Sequence, residues 1–281
     1  MTMPSDGSGV RRQYHRTELL ERICAGVSAA GGDPEALTIE QLGPVDHFHL
    51  GGGEETARLI GLAGFRSSMR VLDVGGGIGG PARMLAARVG CDVTVLDLCD
   101  DYCAVGAELT RRTGLGERVR FRAASALAMP FADRAFTGAW SQHSSMNIED
   151  KAALYREVHR VLEPGARFAL HEVVAGPAGP VHFPVPWAND PAISFLCPQA
   201  EVRELIAAAG FREILWQDVT TRTRDWLAAR IAAGKAAASA GKPPALGIHL
   251  VIGPDAPVKF ANMLRNIDEG RQEIVQAVFE S

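Results

Sequence analysis

The stretch Val71-Leu72-Asp73-Val74-Gly75-Gly76-Gly77-Ile78-Gly79-Gly80-Pro81 constrains this chain more than any other. Its short apolar run reads as a buried parallel strand, and five glycines with Pro81 then open an amphipathic helix from Pro81 to Val89. Glycine is needed where backbone turns sharply and lies close to a ligand, and the helix N-terminus behind it offers unpaired N–H groups. Gly75, Gly77 and Gly80 satisfy the G-x-G-x-x-G of dinucleotide sites, with Asp97 at the expected distance downstream. Asp73 stands against that reading. A carboxylate two residues before the first glycine repels a pyrophosphate but suits a ligand that carries positive charge and no phosphate.

A length of 281 residues accommodates one elaborated α/β domain, and an apolar fraction of 47% is ample for its core. The net charge of −4 provides no electrostatic footprint for nucleic acid or an anionic membrane. Residues 1–10 lack the apolar centre of a signal peptide, and no run reaches the length of a membrane span. Five scattered cysteines (Cys24, Cys91, Cys99, Cys103, Cys197) form no C-x-x-C pair and read as reduced thiols of a cytoplasmic protein.

Helical periodicity covers Arg11 to Val27, and a second short helix is expected from Pro34 to Gln41. The segment Gly43-Pro44 to Gly51-Gly52-Gly53 then brackets His47, Phe48 and His49 with breakers, as either a plain connection or a hinged lid. Strands are expected at Arg70–Val74, Asp92–Leu98, Val119–Ala123, Phe136–Trp140, Ala166–Val174 and Phe211–Val219, with helices between them. A last strand is expected over Ala245–Ile252, followed by an amphipathic helical tail over Ala256–Phe279. This alternation calls for a seven-stranded, mostly parallel α/β sheet with helices on both faces. The organisation expected is a helical or lid segment over 1–64, a ligand-binding core over 65–255 with cap-like insertions near 175–197 and 221–244, and a helical segment over 256–281.

Asp73-x-Gly75-x-Gly77-x-Gly79 resembles motif I of class I S-adenosylmethionine (SAM)-dependent methyltransferases. Leu127 to Phe136 looks like the "LPFxDxxFD" stretch, and Arg160 to Ala166 the "R-V-L-x-P-G-G", of the ubiquinone/menaquinone-biosynthesis type. Asp46 to Gly52, Trp140 to His143 and Pro184-Val185-Pro186-Trp187 are most similar to the sarcosine/dimethylglycine N-methyltransferase-like branch, which includes enzymes of secondary metabolism. The resemblance implies a Rossmann-like fold, SAM as cofactor, and transfer of a methyl group to the N, O or C of a small molecule. It leaves room for a homodimer. A fold relative that binds SAM without methylating, as a pericyclic catalyst or binding module, stays open because fold does not fix chemistry.

By the same resemblance, Asp73, Gly75, Gly77, Gly79, Asp97, Leu98, Ser125, Ala126 and Gln142 hold the cofactor, with Asp97 accepting from the ribose diol. Ser125 departs from the Asp usual there. Methyl transfer from a sulfonium needs alignment and exclusion of water, and a base only if the nucleophile loses a proton. Histidine suits that role near neutral pH, so His143, His171 and His49 are the catalytic candidates. His171 and Glu172, adjacent on one strand, point to opposite faces. Phe48 and Trp187 are the candidate substrate contacts, and no metal ligand set is present.

Overall fold

The computed structural model describes residues 7–15, 18–241 and 246–281. Four helices come first: α1 (Ser8–Tyr14), α2 (Leu19–Ala29), α3 (Ile39–Asp46) and α4 (Gly52–Ala63). Then follow β1 (Arg70–Val74), α5 (Gly80–Val89), β2 (Asp92–Asp97), α6 (Asp100–Arg112), β3 (Val119–Ala123) and β4 (Phe136–Gln142). The second half contains α7 (Lys151–Val161), β5 (Leu162–Ala175), α8 (Gln199–Ala208), β6 (Arg212–Asp218), α9 (Thr220–Ser239), α10 (His249–Ile252), α11 (Ala256–Asp268) and β7 (Gln272–Glu280).

The strands form one sheet in the order β3-β2-β1-β4-β5-β7-β6, parallel except for β7, which runs antiparallel to both β5 and β6. Alternation along the strands sorts the core into two layers. Leu72, Val74, Phe168 and Leu170 pack with Leu154 and Val158 of α7 and Ile206 of α8. Val71, Val93, Val95 and Ala169 pack on the other face with Leu59 of α4 and Leu85 of α5. Strand order reverses between β1 and β4, and the glycine loop leaves the sheet at that switch point, where such sheets bind ligands.

Four expectations are corrected. The strand expected over 245–252 is helical from His249 to Ile252, and residues 242–245 lie outside the described residues. The helix expected over 256–279 stops at Asp268; Gly270, at φ 67°, turns the chain, and Gln272–Glu280 enter the sheet as β7. Short apolar runs do not distinguish strand from helix, and a site between β5 and β6 decides the matter by burying Ile274, Val275, Ala277, Val278 and Phe279. At the other end, helix α3 starts at Ile39, with Thr38 and Gln41 forming a capping box, and runs through Gly43 and Pro44. These two breakers therefore lie inside a helix, and the expected helix over 34–41 is displaced toward the C-terminus. The helix expected over 11–27 is divided between α1 and α2.

Candidate functional site

The carboxyl edge of the sheet opens into a cavity of 820 Å³ whose floor is the glycine loop. Asp73, Gly75, Gly76 and Gly77 line it from β1, Leu96 to Cys99 from β2, and Ala124 to Leu127 from the end of β3. Two glycines are sterically required. Gly75 has φ 72° and a Cβ there would run into the Ser144 side chain; Gly77 has φ 58° and sits under Phe48, whose ring would lie 3.3 Å from a Cβ. Asp97 fixes the loop. Its Oδ2 accepts from the Gly77 N–H at 2.9 Å and its Oδ1 from the Cys99 N–H at 2.9 Å.

Asp73 is 1% exposed and its Oδ2 has no partner. Burial pushes its carboxyl up to about 7, with the Trp140 indole opposing the rise and the Asp97 charge adding to it. Burial also raises Asp97, against the pull of the Cys99 and Gly77 N–H groups. Two carboxyls on one cavity wall are thus held short of a counter-charge.

Beyond β1 the wall is built by the tips of β4 and β5. His143 follows β4 at φ 49°, a left-handed conformation, and its N–H donates to the His171 carbonyl at 2.8 Å. Glu172, pointing to the opposite face, holds that turn from below. Its Oε1 accepts from Ser141 Oγ at 3.0 Å and from the Ser144 and Ser145 N–H groups at 3.3 Å each. The rings of His143 and His171 lie 4.7 Å apart, and that of His49 lies 5.9 Å from the first and 5.5 Å from the second. His49 Nε2 hydrogen-bonds Thr56 Oγ1 at 2.9 Å. Burial drives His49 down to about 4 and both His143 and His171 well below the ordinary value, so all three are neutral at neutral pH.

The roof comes from segments distant in sequence. A buried ion pair, Arg83 to Asp46 at 2.6 Å, ties α3 to α5 and sets Phe48 and His49 in place. Trp187 is buried, its Nε1 donating to Ser194 Oγ at 2.9 Å. Asn147 anchors that loop by donating to the Trp187 and Ile193 carbonyls, while its Oδ1 accepts from Tyr14 of α1. Ile252 of α10 and Met263 of α11 close the far side.

Of the residues expected from sequence, the cavity brings together Asp73, Gly75, Gly77, Asp97, Leu98, Ser125, Ala126, Gln142, His143, His49, Phe48 and Trp187. Two are not on its wall. Gly79, at φ 78°, precedes α5 and serves the turn. His171 is fully buried behind the other two rings, because its strand position faces α4 rather than the open edge. Sequence reasoning missed Tyr14, Met146, Asn147, Ile252 and Met263. No motif marks them; Met146 and Asn147 follow His143 in the turn after β4, and Tyr14, Ile252 and Met263 meet the site through tertiary packing.

Residues 72–170 match the protein family described as "Methyltransferase domain". Among curated relatives, methyltransferase GfsG of Streptomyces halstedii is 33% identical over 130 residues, 46% of this chain and 47% of that protein. Glycine/sarcosine/dimethylglycine N-methyltransferase of Actinopolyspora halophila is 35% identical over 162 residues, 58% of this chain and 28% of that protein. The matches thus span between about a quarter and a half of these relatives' length. The crystal structure of the cyclase SpnF superposes with a TM-score of 0.67 over 94% of this chain and 93% of its own, at 24% identity, and so shares the fold.

Proposed function

We propose that the protein, whose residues 72–170 match a methyltransferase domain, is of the class I, SAM-dependent kind and transfers a methyl group from SAM to a small-molecule acceptor. The observation that carries this is the buried, unpartnered Asp73 oxygen on the wall of the glycine-loop cavity. A sulfonium and an ammonium satisfy such a carboxylate, and the pyrophosphate of a dinucleotide would be repelled by it.

The rest of the wall fits the same ligand. Asp97 has one N–H on each oxygen, which leaves further lone pairs for a ribose diol. Leu98, Ala126 and Leu127 offer apolar surface to an adenine, and Ser125 replaces a carboxylate with a neutral hydroxyl. When bound, SAM supplies an electrophilic methyl group. The chain supplies position and exclusion of water: Phe48 covers Gly77, and Trp187 and Met263 wall the far end. His143, neutral and beside the donor loop, is the proposed proton acceptor. His49 flanks it, and His171 acts from behind by holding the ring and its backbone.

Five free cysteines, four of them buried, support assignment to the cytoplasm, and no helix among the described residues is long and apolar enough to cross a membrane. A homodimer is included in the proposal as the assembly to be checked by light scattering. The decisive experiment incubates the protein with isotopically labelled SAM and a panel of metabolites and looks for labelled product by mass spectrometry. Stabilisation by NAD(H) and by neither SAM nor S-adenosylhomocysteine would overturn the cofactor. Tight SAM binding with no methyl transfer to any acceptor would favour a non-methylating activity, such as the cyclisation for which SpnF is named.

A further inference from the structure

Six charged side chains line the cavity. Asp73 and Asp97 are at the tips of β1 and β2. Asp46 is consumed by Arg83. Arg11, itself exposed, acts on Cys99 at the end of β2. Asp150 caps α7 by accepting from the Ala153 N–H at 2.8 Å, and Glu149 precedes it in an exposed position. Past β4 the apolar part of the wall is Met146, Pro186, Trp187, Ile252 and Met263, with His143, His49, Ser144 and Gln142 among its polar groups and Glu149 and Asp150 at exposed positions. Asn147 adds nothing there, since its amide and carbonyl are already engaged. No group of three or more potential metal ligands occurs among the described residues.

An ion placed against Met146, Trp187 and Met263 would lose its hydration to side chains that carry no charge, which costs several kcal/mol. We infer that the acceptor is an uncharged, mainly apolar alcohol or phenol whose hydroxyl is presented to His143 while its body lies against Trp187, Met146 and Met263. This rests on the methyltransferase reading and narrows it. In the step, the acceptor oxygen forms the new C–O bond as the S–CH3 bond breaks and leaves its electron pair on sulfur. The hydroxyl proton passes to the His143 imidazole and then to water. One positive charge enters the step on sulfur and leaves it on the ring, so the apolar wall never faces a change in net charge.

The test uses the full 281-residue chain and calorimetry. S-adenosylhomocysteine is titrated first; absence of binding sinks the cofactor reading, and the acceptor class falls with it. Into protein saturated with S-adenosylhomocysteine are then titrated 1-naphthol, 1-naphthyl phosphate and 1-naphthylmethylamine, one skeleton carrying no charge, negative charge or positive charge. The neutral phenol should bind at least about tenfold more tightly than either ion. Equal or tighter binding of the phosphate or the amine, or no binding of the phenol, overturns the acceptor class while leaving the cofactor in place. Met263→Arg should reverse the order, the phosphate gaining about tenfold while S-adenosylhomocysteine affinity stays within about threefold. Unchanged phosphate affinity in a variant that still binds S-adenosylhomocysteine would place Met263 outside the acceptor site and refute the assignment. Should the variant fail to fold, the wild-type ratio decides.

Discussion

Binding of SAM should expel a proton from Asp73, and the amount is calculable. In the free protein the carboxyl is held up at about 7 by burial, so roughly 0.9 of it is protonated at pH 6, about 0.5 at pH 7 and about 0.1 at pH 8. A cation beside the carboxyl stabilises its charged form, so binding lowers that pKa and the proton leaves. Release should therefore approach about 0.9 proton at pH 6 and fade to about 0.1 at pH 8. The same linkage makes affinity rise with pH through the free-protein pKa, by about tenfold between pH 6 and pH 8, or about 1.4 kcal/mol. The cofactor's own α-amino group titrates near 7.7–8.0, so the acid half of the curve belongs to the protein. Calorimetry at each pH in two buffers of different ionisation enthalpy measures the proton count directly. Asp97 is also raised by burial, and Asp73→Asn separates the two: it should abolish most of the release and flatten the affinity curve. Affinity and proton count that do not vary with pH, or that vary identically in Asp73→Asn, would refute the role given to this carboxyl.

Asp97→Ala should weaken SAM binding by about 1.5–3 kcal/mol per charge-assisted hydrogen bond lost, read as the calorimetric dissociation constant; unchanged affinity would remove Asp97 from the site. His143→Ala should lower kcat by roughly 10²–10⁴-fold with SAM affinity near wild type, and His143→Asn, lacking the basic nitrogen, should not rescue it. Because burial holds His143 well below 6.5, kcat should be level from about pH 6.5 upward, and any limb due to this ring should fall on the acid side. A limb above neutrality that vanishes in His143→Ala would contradict its buried, neutral state. Arg83→Met should destabilise the fold by about 3–5 kcal/mol in denaturant unfolding, because it strands the buried Asp46 carboxylate. The double variant with Asp46→Leu should recover much of that loss, and failure to recover would mean that the pair's attraction outweighs its desolvation.

What was legible in the sequence was local. The strand β1, its glycines and the carboxylate at the tip of β2 lie within thirty residues of each other and carry their own turn and helix-start chemistry. The opposed faces of His171 and Glu172 followed from strand alternation alone, and the His143 and Ser141 contacts bear this out. What was illegible depends on partners far along the chain. Tyr14 reaches the site through Asn147, 133 residues away, and Met263 through the packing of α11 on α9. The withdrawal of His171 from the cavity wall could not be foreseen either, because it depends on α4 covering that face. Gly43-Pro44 misled for a related reason: a capping box just upstream was sufficient to carry the helix through both breakers.

The insertion of β7 between β5 and β6 sets an order on assembly. Among the described residues strand β6 meets the rest of the sheet solely through β7, so residues 212–218 emerge from the ribosome about sixty residues before the strand that will hold them. Until then the nascent sheet ends at β5, with Phe168, Leu170 and Val173 along an unpaired edge that invites pairing with another chain. A chain cut after α11 would accordingly lose two strands rather than one, and with them the Gln276 amide that donates to the Glu55 carbonyl in α4, near the covering of the histidine cluster. The glycine-loop cavity, composed almost wholly before residue 190, thus waits for the final nine residues of the sheet to become a rigid vessel.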